Sequence, residues 1–188
     1  MNRVAVVVDN APVARLVERL LSDGRVFVEN AEERSCAMMV AASILFRENW
    51  SPTVLLLDTD SLEERAIVED QLEIGGYLRR ESGGHPHRLV LAIPQMEAVL
   101  FSDRVGLENA LGKQIPDDDF FEARFRPKAV FYRLLGGDKD AQERALAVID
   151  AIDETSLRRM AAHPVIREIQ EFVEEAQRPR TTKVRRAS

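Results

Sequence analysis

Val54-Leu55-Leu56-Leu57-Asp58-Thr59-Asp60-Ser61 is the stretch from which the rest of the chain is best read. Four apolar residues in a row describe a strand buried on both faces, and the strand runs into two carboxylates one residue apart. In extended backbone alternate side chains share a face, so Asp58 and Asp60 are expected to aim at one point beyond the strand. Two carboxylates held together repel unless a proton or a cation stands between them. An all-oxygen donor set suits a hard cation such as Mg²⁺. The same residues also fit a strand end followed by an Asp-Thr-Asp-Ser turn or helix cap. Both readings are open on this segment alone.

Upstream, residues 3–8 (Arg-Val-Ala-Val-Val-Val) read as another buried strand. Asp9-Asn10-Ala11-Pro12 turns it into a helix, with Pro12 suited to a first helical turn. Val13, Leu16, Val17, Leu20 and Leu21 follow helical spacing, and Gly24 closes that helix. Residues 25–28 make a second strand. A long helix is expected over 31–48, with Met38, Met39, Ala42, Leu45 and Phe46 on its apolar side and Cys36 buried within it. The third strand is 53–57. A mostly polar helix over 62–81 carries Glu63, Glu64, Glu69, Asp70 and Glu73 on a solvated face, and Gly83-Gly84 ends it. Leu89-Val90-Leu91-Ala92-Ile93 is the fourth strand. Strands alternating with helices predict an α/β fold, a four-stranded mostly parallel sheet with helices on both faces.

After Pro94 no strand pattern recurs. Seven short helical or turn-like stretches are expected, at 95–102, 104–111, 117–123, 127–135, 138–151, 154–160 and 164–176. The organisation is therefore an α/β unit over 1–94, an all-helical half over 95–176, and a basic tail over 177–188 containing Arg178, Arg180, Lys183, Arg185 and Arg186, read as disordered.

Hydrophobic residues make up 45% of the 188, enough for a real core, and the net charge is −6. That charge argues against broad, nonspecific adhesion to nucleic acid, although carboxylates that hold a metal also count as negative. No apolar run approaches the roughly 20 residues of a membrane span, and the start of the chain lacks a signal-peptide pattern, so a cytoplasmic location is expected. A single cysteine excludes an internal disulfide and a cysteine-rich zinc site. His85-Pro86-His87 reads as a turn, and the Gly-Gly pairs lack a nucleotide-loop context.

Ligands of open parallel sheets bind beyond the carboxyl ends of the strands. Asp9 ends the first strand, Asp58 and Asp60 the third, and Glu97 follows the fourth in Pro94-Gln95-Met96-Glu97. Glu29, at the end of the second strand, reads as a surface residue. Residues distant in sequence are thus expected at one rim, and four carboxylates there are costly without a cation.

An acid after the first strand and Asp-x-Asp after the third resembles the TOPRIM (topoisomerase–primase) domain. The segment Leu91–Asp103, with Pro-x-x-Glu after the fourth strand, looks like small bacterial TOPRIM-like proteins related to overcoming-lysogenization-defect nucleases. Arg126-Pro127-Lys128 and the stretch from Leu157 to Phe172 look like their C-terminal region. The resemblance implies a Mg²⁺- or Mn²⁺-dependent nuclease: Asp9, Asp58 and Asp60 as metal ligands, Glu97 as a second-metal ligand or base, and DNA or RNA as substrate. It also implies an ATPase partner in anti-phage defence. Arg126 and Lys128 are candidate phosphate contacts or ordinary solvated charges. Asp9-Asn10 stands where the family has Glu-Gly, which makes a degenerate, protein-binding module the alternative. A receiver-like phosphoacceptor is a further one, with Asp58 accepting the phosphoryl group. That reading lacks a lysine closing a fifth strand. Phe120, Phe121, Phe125, Phe131 and Tyr132 read as core of the helical half, or as a base-stacking surface.

Overall fold

The computed structural model describes residues 3–47 and 50–178. Four strands, β1 (Val4–Val8), β2 (Val26–Asn30), β3 (Thr53–Asp58) and β4 (His87–Ala92), form one sheet in the order β2-β1-β3-β4. Every pairing is parallel, with Val6 opposite both Val28 and Val54, and Leu56 opposite Val90. The central strands are the uninterrupted apolar runs, and every residue of β1 and β3 is buried. The edge strands β2 and β4 carry partly exposed residues, as their more mixed sequences require.

Helices cover both faces. α2 (Arg34–Phe46) and α3 (Glu64–Glu81) lie over Ala5, Val7, Leu55 and Leu57. The opposite face, lined by Val4, Val6, Val8, Val54 and Leu56, receives α1 (Ala11–Leu20) together with the helical half of the chain. That half comprises a 3₁₀ helix (Met96–Ser102), α4 (Arg104–Leu111), α5 (Asp117–Glu122), α6 (Pro127–Leu134), α7 (Ala141–Ala151), α8 (Glu154–Met160) and α9 (Pro164–Gln177). One apolar core runs from the sheet through Met96, Leu100, Phe131 and Ile149 to Ile166 and Phe172. Residue 94 therefore marks a change of secondary structure, and the core continues across it. α4 and α8 meet so closely that a Cβ on Gly106 would lie 2.2 Å from the Ser156 Oγ, which only glycine avoids.

α1 is set by its start: the Asn10 side-chain oxygen accepts the Val13 N–H at 2.9 Å, and Pro12 supplies a first-turn φ. α2 departs from expectation. Its buried residues are Ala37, Ala41, Ile44 and Leu45, while Met39 is 59% and Phe46 83% exposed, and Met38 and Cys36 are half-buried. The helix is uncharged from Cys36 to Phe46, so apolar spacing does not select a face, and the sheet takes the small alanines that allow close approach. The aromatic cluster also divides. Phe131 is buried and Phe120 partly so, but Phe121 and Phe125 face outward. Of the acids on α3, Asp70 is drawn into an ion pair with Arg34 at 2.6 Å. The basic tail from Arg180 onward lies outside the described residues; Gln177 is the last residue of α9. No helix among the described residues is long and apolar enough to cross a membrane.

Candidate carboxylate and lysine site at the sheet rim

In the order β2-β1-β3-β4 the chain leaves β1 for one side and reaches β3 on the other. The crevice beyond the carboxyl ends of β1 and β3 is the point where such sheets bind ligands. Asp9 follows the last residue of β1 and Asp58 closes β3, so the two flank that crevice. The turn after β4 brings Glu97 to the same rim.

Asp58 is 5% exposed. Its Oδ1 accepts the Met96 N–H at 2.8 Å, and its Oδ2 faces the Lys128 ammonium at 3.8 Å. Burial pushes its pKa up to about 7, with the charges of Glu97 and, more weakly, Asp9 in the same direction. The Met96 amide and Lys128 oppose the shift without cancelling it. Arg34 donates to the Asp58 backbone oxygen at 2.5 Å, anchoring the strand end from the α2 side.

Glu97 is more isolated. It is 4% exposed, and neither carboxylate oxygen meets a hydrogen-bond donor in bonding geometry. Burial raises its pKa; Lys128 and its own backbone amide pull down, while Asp60 and Asp9 push up. Buried polar atoms are nearly always paired. Two orphaned carboxylate oxygens in one side chain therefore mark a place where a proton or a cation belongs.

The chain changes conformation between the two aspartates. β3 stops at Asp58, and Asp60 has φ +52°, in the left-handed region that aspartate tolerates better than most residues. The alternation expected of a continued strand thus fails, and Asp60 is exposed while Asp58 is buried. The loop is nonetheless stitched over the rim: Thr59 N–H donates to Ala92 O at 3.0 Å and Asp60 N–H to Pro94 O at 2.9 Å. Asp60 remains within electrostatic reach of both Glu97 and Lys128. Asp9 also acts on Asp58, Glu97 and Lys128, and its Oδ1 accepts from the Asn10 amide at 3.0 Å.

Lys128, in the first turn of α6, is half-buried. Burial depresses its pKa, but Glu97, Asp58, Asp60 and Asp9 together more than compensate, so the ammonium is held charged. It is the basic group at the centre of the cluster, whereas its neighbour Arg126 is exposed. Gln95, which sequence reading passed over, ties the parts together. Its Nε2 donates to Asp60 Oδ1 at 2.6 Å and its Oε1 accepts the Lys128 N–H at 3.2 Å. The available signal was its place, two residues before Glu97 in the turn leaving β4. Tyr132, one turn beyond Lys128, has its pKa raised by burial and by the charge of Glu97. Glu29 is exposed at the end of β2. His87 bonds the His85 backbone oxygen and His85 stacks on Trp50 at 4.2 Å, structural uses for both rings.

Among the described residues, no group of three or more His, Cys, Asp or Glu side chains is placed to hold a metal ion together. Mg²⁺ does not require one; it keeps several waters and binds through one or two carboxylates plus substrate phosphate. Oxygen donors throughout, two of them orphaned and buried, fit a hard divalent cation better than a soft one.

No family model, curated protein or solved structure matches this chain.

Proposed function

We propose that this protein is a divalent-cation-dependent phosphodiester hydrolase of TOPRIM-like type, acting on nucleic acid. The observation that carries the reading is the buried Glu97 carboxylate, without hydrogen-bond partners, beside Asp58 and Lys128 at the sheet's switch point. Asp58, with Asp9 and Asp60 around it, would hold Mg²⁺ or Mn²⁺. When bound, such a cation supplies positive charge against the phosphate oxygens in the transition state. Lys128 adds the protein's own cation, close enough to turn from Asp58 to a phosphate oxygen. Water attacks phosphorus, the ester P–O bond breaks, Glu97, whose proton affinity burial raises, takes the water's proton, and the leaving oxygen is protonated from solvent. Gln95 holds Asp60 and the start of α6 in register during this step. An ATPase partner and a role in phage defence rest on the family resemblance alone.

The shorter reach of Asp9 compared with glutamate keeps the degenerate, binding-module reading in play, and activity decides between them. A receiver-like reading draws on a different observation. Lys128 reaches Asp58 from a helix, supplying the lysine that no fifth strand offers. Against it, one Asp58 oxygen is committed to the Met96 N–H, and burial favours the protonated carboxyl, a poor nucleophile toward a phosphodonor.

The test is cleavage of plasmid and of labelled DNA and RNA oligonucleotides with Mg²⁺ or Mn²⁺, comparing wild type with Asp58→Ala/Asp60→Ala. Metal-dependent cleavage by wild type alone is expected. Its absence, with Asp58 instead labelled by acetyl phosphate, would transfer the site to the receiver reading. Absence of both would leave the binding module.

A further inference from the structure

Two phenylalanine rings a few residues before Lys128 in the chain are not used by the core. Phe121 is 59% and Phe125 52% exposed, against a neighbour, Phe120, that packs toward Phe101. The two exposed rings meet edge to face with centroids 5.8 Å apart, and the Arg124 guanidinium lies over Phe121 at 5.5 Å from its centroid. An isolated exposed ring is ordinary. A pair braced edge to face, with a guanidinium over one face of Phe121, is a preformed aromatic surface whose remaining ring area is open to solvent.

The charges around this surface are also sorted. Asp117 pairs with Arg104 at 2.7 Å, and Asp119 and Glu122 both pair with Arg133 at 2.6 Å. Asp118 is left exposed. Arg124 and Arg126 make no ion pair among the described residues; Arg126 lies only within electrostatic range of Glu122. Three of the four acids of α5 thus have an arginine partner, although Arg133 serves two of them and Arg104 also pairs with Glu108, while the guanidiniums of Arg124 and Arg126 remain to meet an outside anion. Lys128 follows two residues later with its ammonium at the rim. Three peptide units separate Phe125 from Lys128, so their α-carbons are at most about 11 Å apart.

We infer that Phe121, Phe125, Arg124 and Arg126 form a stacking platform for unstacked bases of a single-stranded nucleic acid, delivering an adjacent phosphate to Lys128. Flat faces with flanking guanidiniums are what a single strand needs, since its bases offer π faces and its backbone negative charge. A duplex hides those faces in its stack. A protein partner would be expected to bury a wider apolar surface and to match charge with charge. The inference rests on the proposed nucleic-acid function and names its substrate as single-stranded.

Binding is measured by fluorescence anisotropy with a labelled oligo-dT and with a duplex of equal length, in EDTA so that cleavage does not intervene. Wild type is expected to prefer the single strand. Phe121→Ala/Phe125→Ala should weaken binding on the order of tenfold per ring, and Phe121→Tyr/Phe125→Tyr should retain it. Both rings are on the surface, so circular dichroism should show unchanged folding. Arg124→Ala/Arg126→Ala should reduce the slope of log K against log salt by about 1.4, two contacts at about 0.7 each. Unchanged affinity in the double alanine variant overturns the platform, as does equal affinity for duplex and single strand. So does loss of self-association, rather than of oligonucleotide binding, in that variant. If the rings are required for binding but no cleavage occurs with Mg²⁺ or Mn²⁺, the platform stands and the hydrolase reading falls. If cleavage occurs and the rings do not matter for affinity, the reverse holds.

Discussion

The rim has a dry side and a wet side, and the difference between them explains what each carboxylate can do. Asp58 and Glu97 sit beneath the turn leaving β4, almost fully removed from solvent, while Asp60 is exposed and Asp9 partly so. All four belong to one electrostatic cluster around Lys128. Burial pushes up the pKa of both members of the buried pair; Asp58 accepts the Met96 N–H, whereas neither Glu97 oxygen has a partner in hydrogen-bonding geometry. A charged side chain in that position lowers stability unless something compensates it, as expected of a site shaped by its ligand.

The contrast can be broken first by activity. Asp58→Asn or Glu97→Gln, on the dry side, should cut metal-dependent cleavage by about 10³-fold or more. Asp60→Asn, on the wet side, should cost on the order of 10–100-fold. Equal losses, measured as single-turnover cleavage rates, would remove the distinction between the two sides.

Stability against pH sharpens it next. Folded Asp58 holds its proton up to about pH 7, whereas the unfolded chain releases it near 3.8. Between those values the native state binds more protons than the unfolded state, so stability falls as pH rises through the window. The contribution is on the order of 4 kcal/mol, present in full below about pH 4 and lost above about pH 7. Urea unfolding in EDTA from pH 4 to 8 should show the decline, and Asp58→Asn should flatten it. A wild-type profile that rises over this range would contradict the burial of the charge.

The two dry-side residues should then separate from each other. Burial opposes the ionisation of Glu97, so Glu97→Gln should stabilise the cation-free protein, and more so as pH rises. Asp58→Ala strands the Met96 N–H, so it should destabilise at pH 5 by about 1–2 kcal/mol. Same-signed shifts in denaturation midpoint would mean that Glu97 is satisfied in solution.

The smallest expected effect lies where dry and wet sides join. Gln95→Ala removes two hydrogen bonds that link Asp60 to the start of α6, at a cost of about 1 kcal/mol or less because both are near solvent. Cleavage should fall more than stability does, with the pH profile of the remaining activity retained. A drop in stability without any drop in rate would make Gln95 a purely structural clasp.

Much of this is legible in the chain alone. The buried strands are unbroken runs of Val and Leu, and their alternation with helices leaves a parallel sheet as the simplest way to cover both faces. Strand polarity then sends Asp9, Asp58 and Glu97 to one rim whatever the details of packing. The helices after Pro94 were readable from Pro and Gly punctuation, because those residues act locally. α2 was not readable in the same way: a helix apolar on every side does not say which residues face the sheet. The aromatic cluster failed similarly, since spacing alone does not say that Phe131 goes in and Phe125 out.

Sequence by itself determined the α/β order, the parallel sheet and the acids at its carboxyl edge, because these follow from periodicity and chain direction. Tertiary structure alone decided that Glu97 is sealed off without a partner, that Lys128 stands against Asp58, and that Asp60 turns outward into left-handed backbone. Burial and charge proximity are sums over elements far apart in the chain, and no local pattern encodes them.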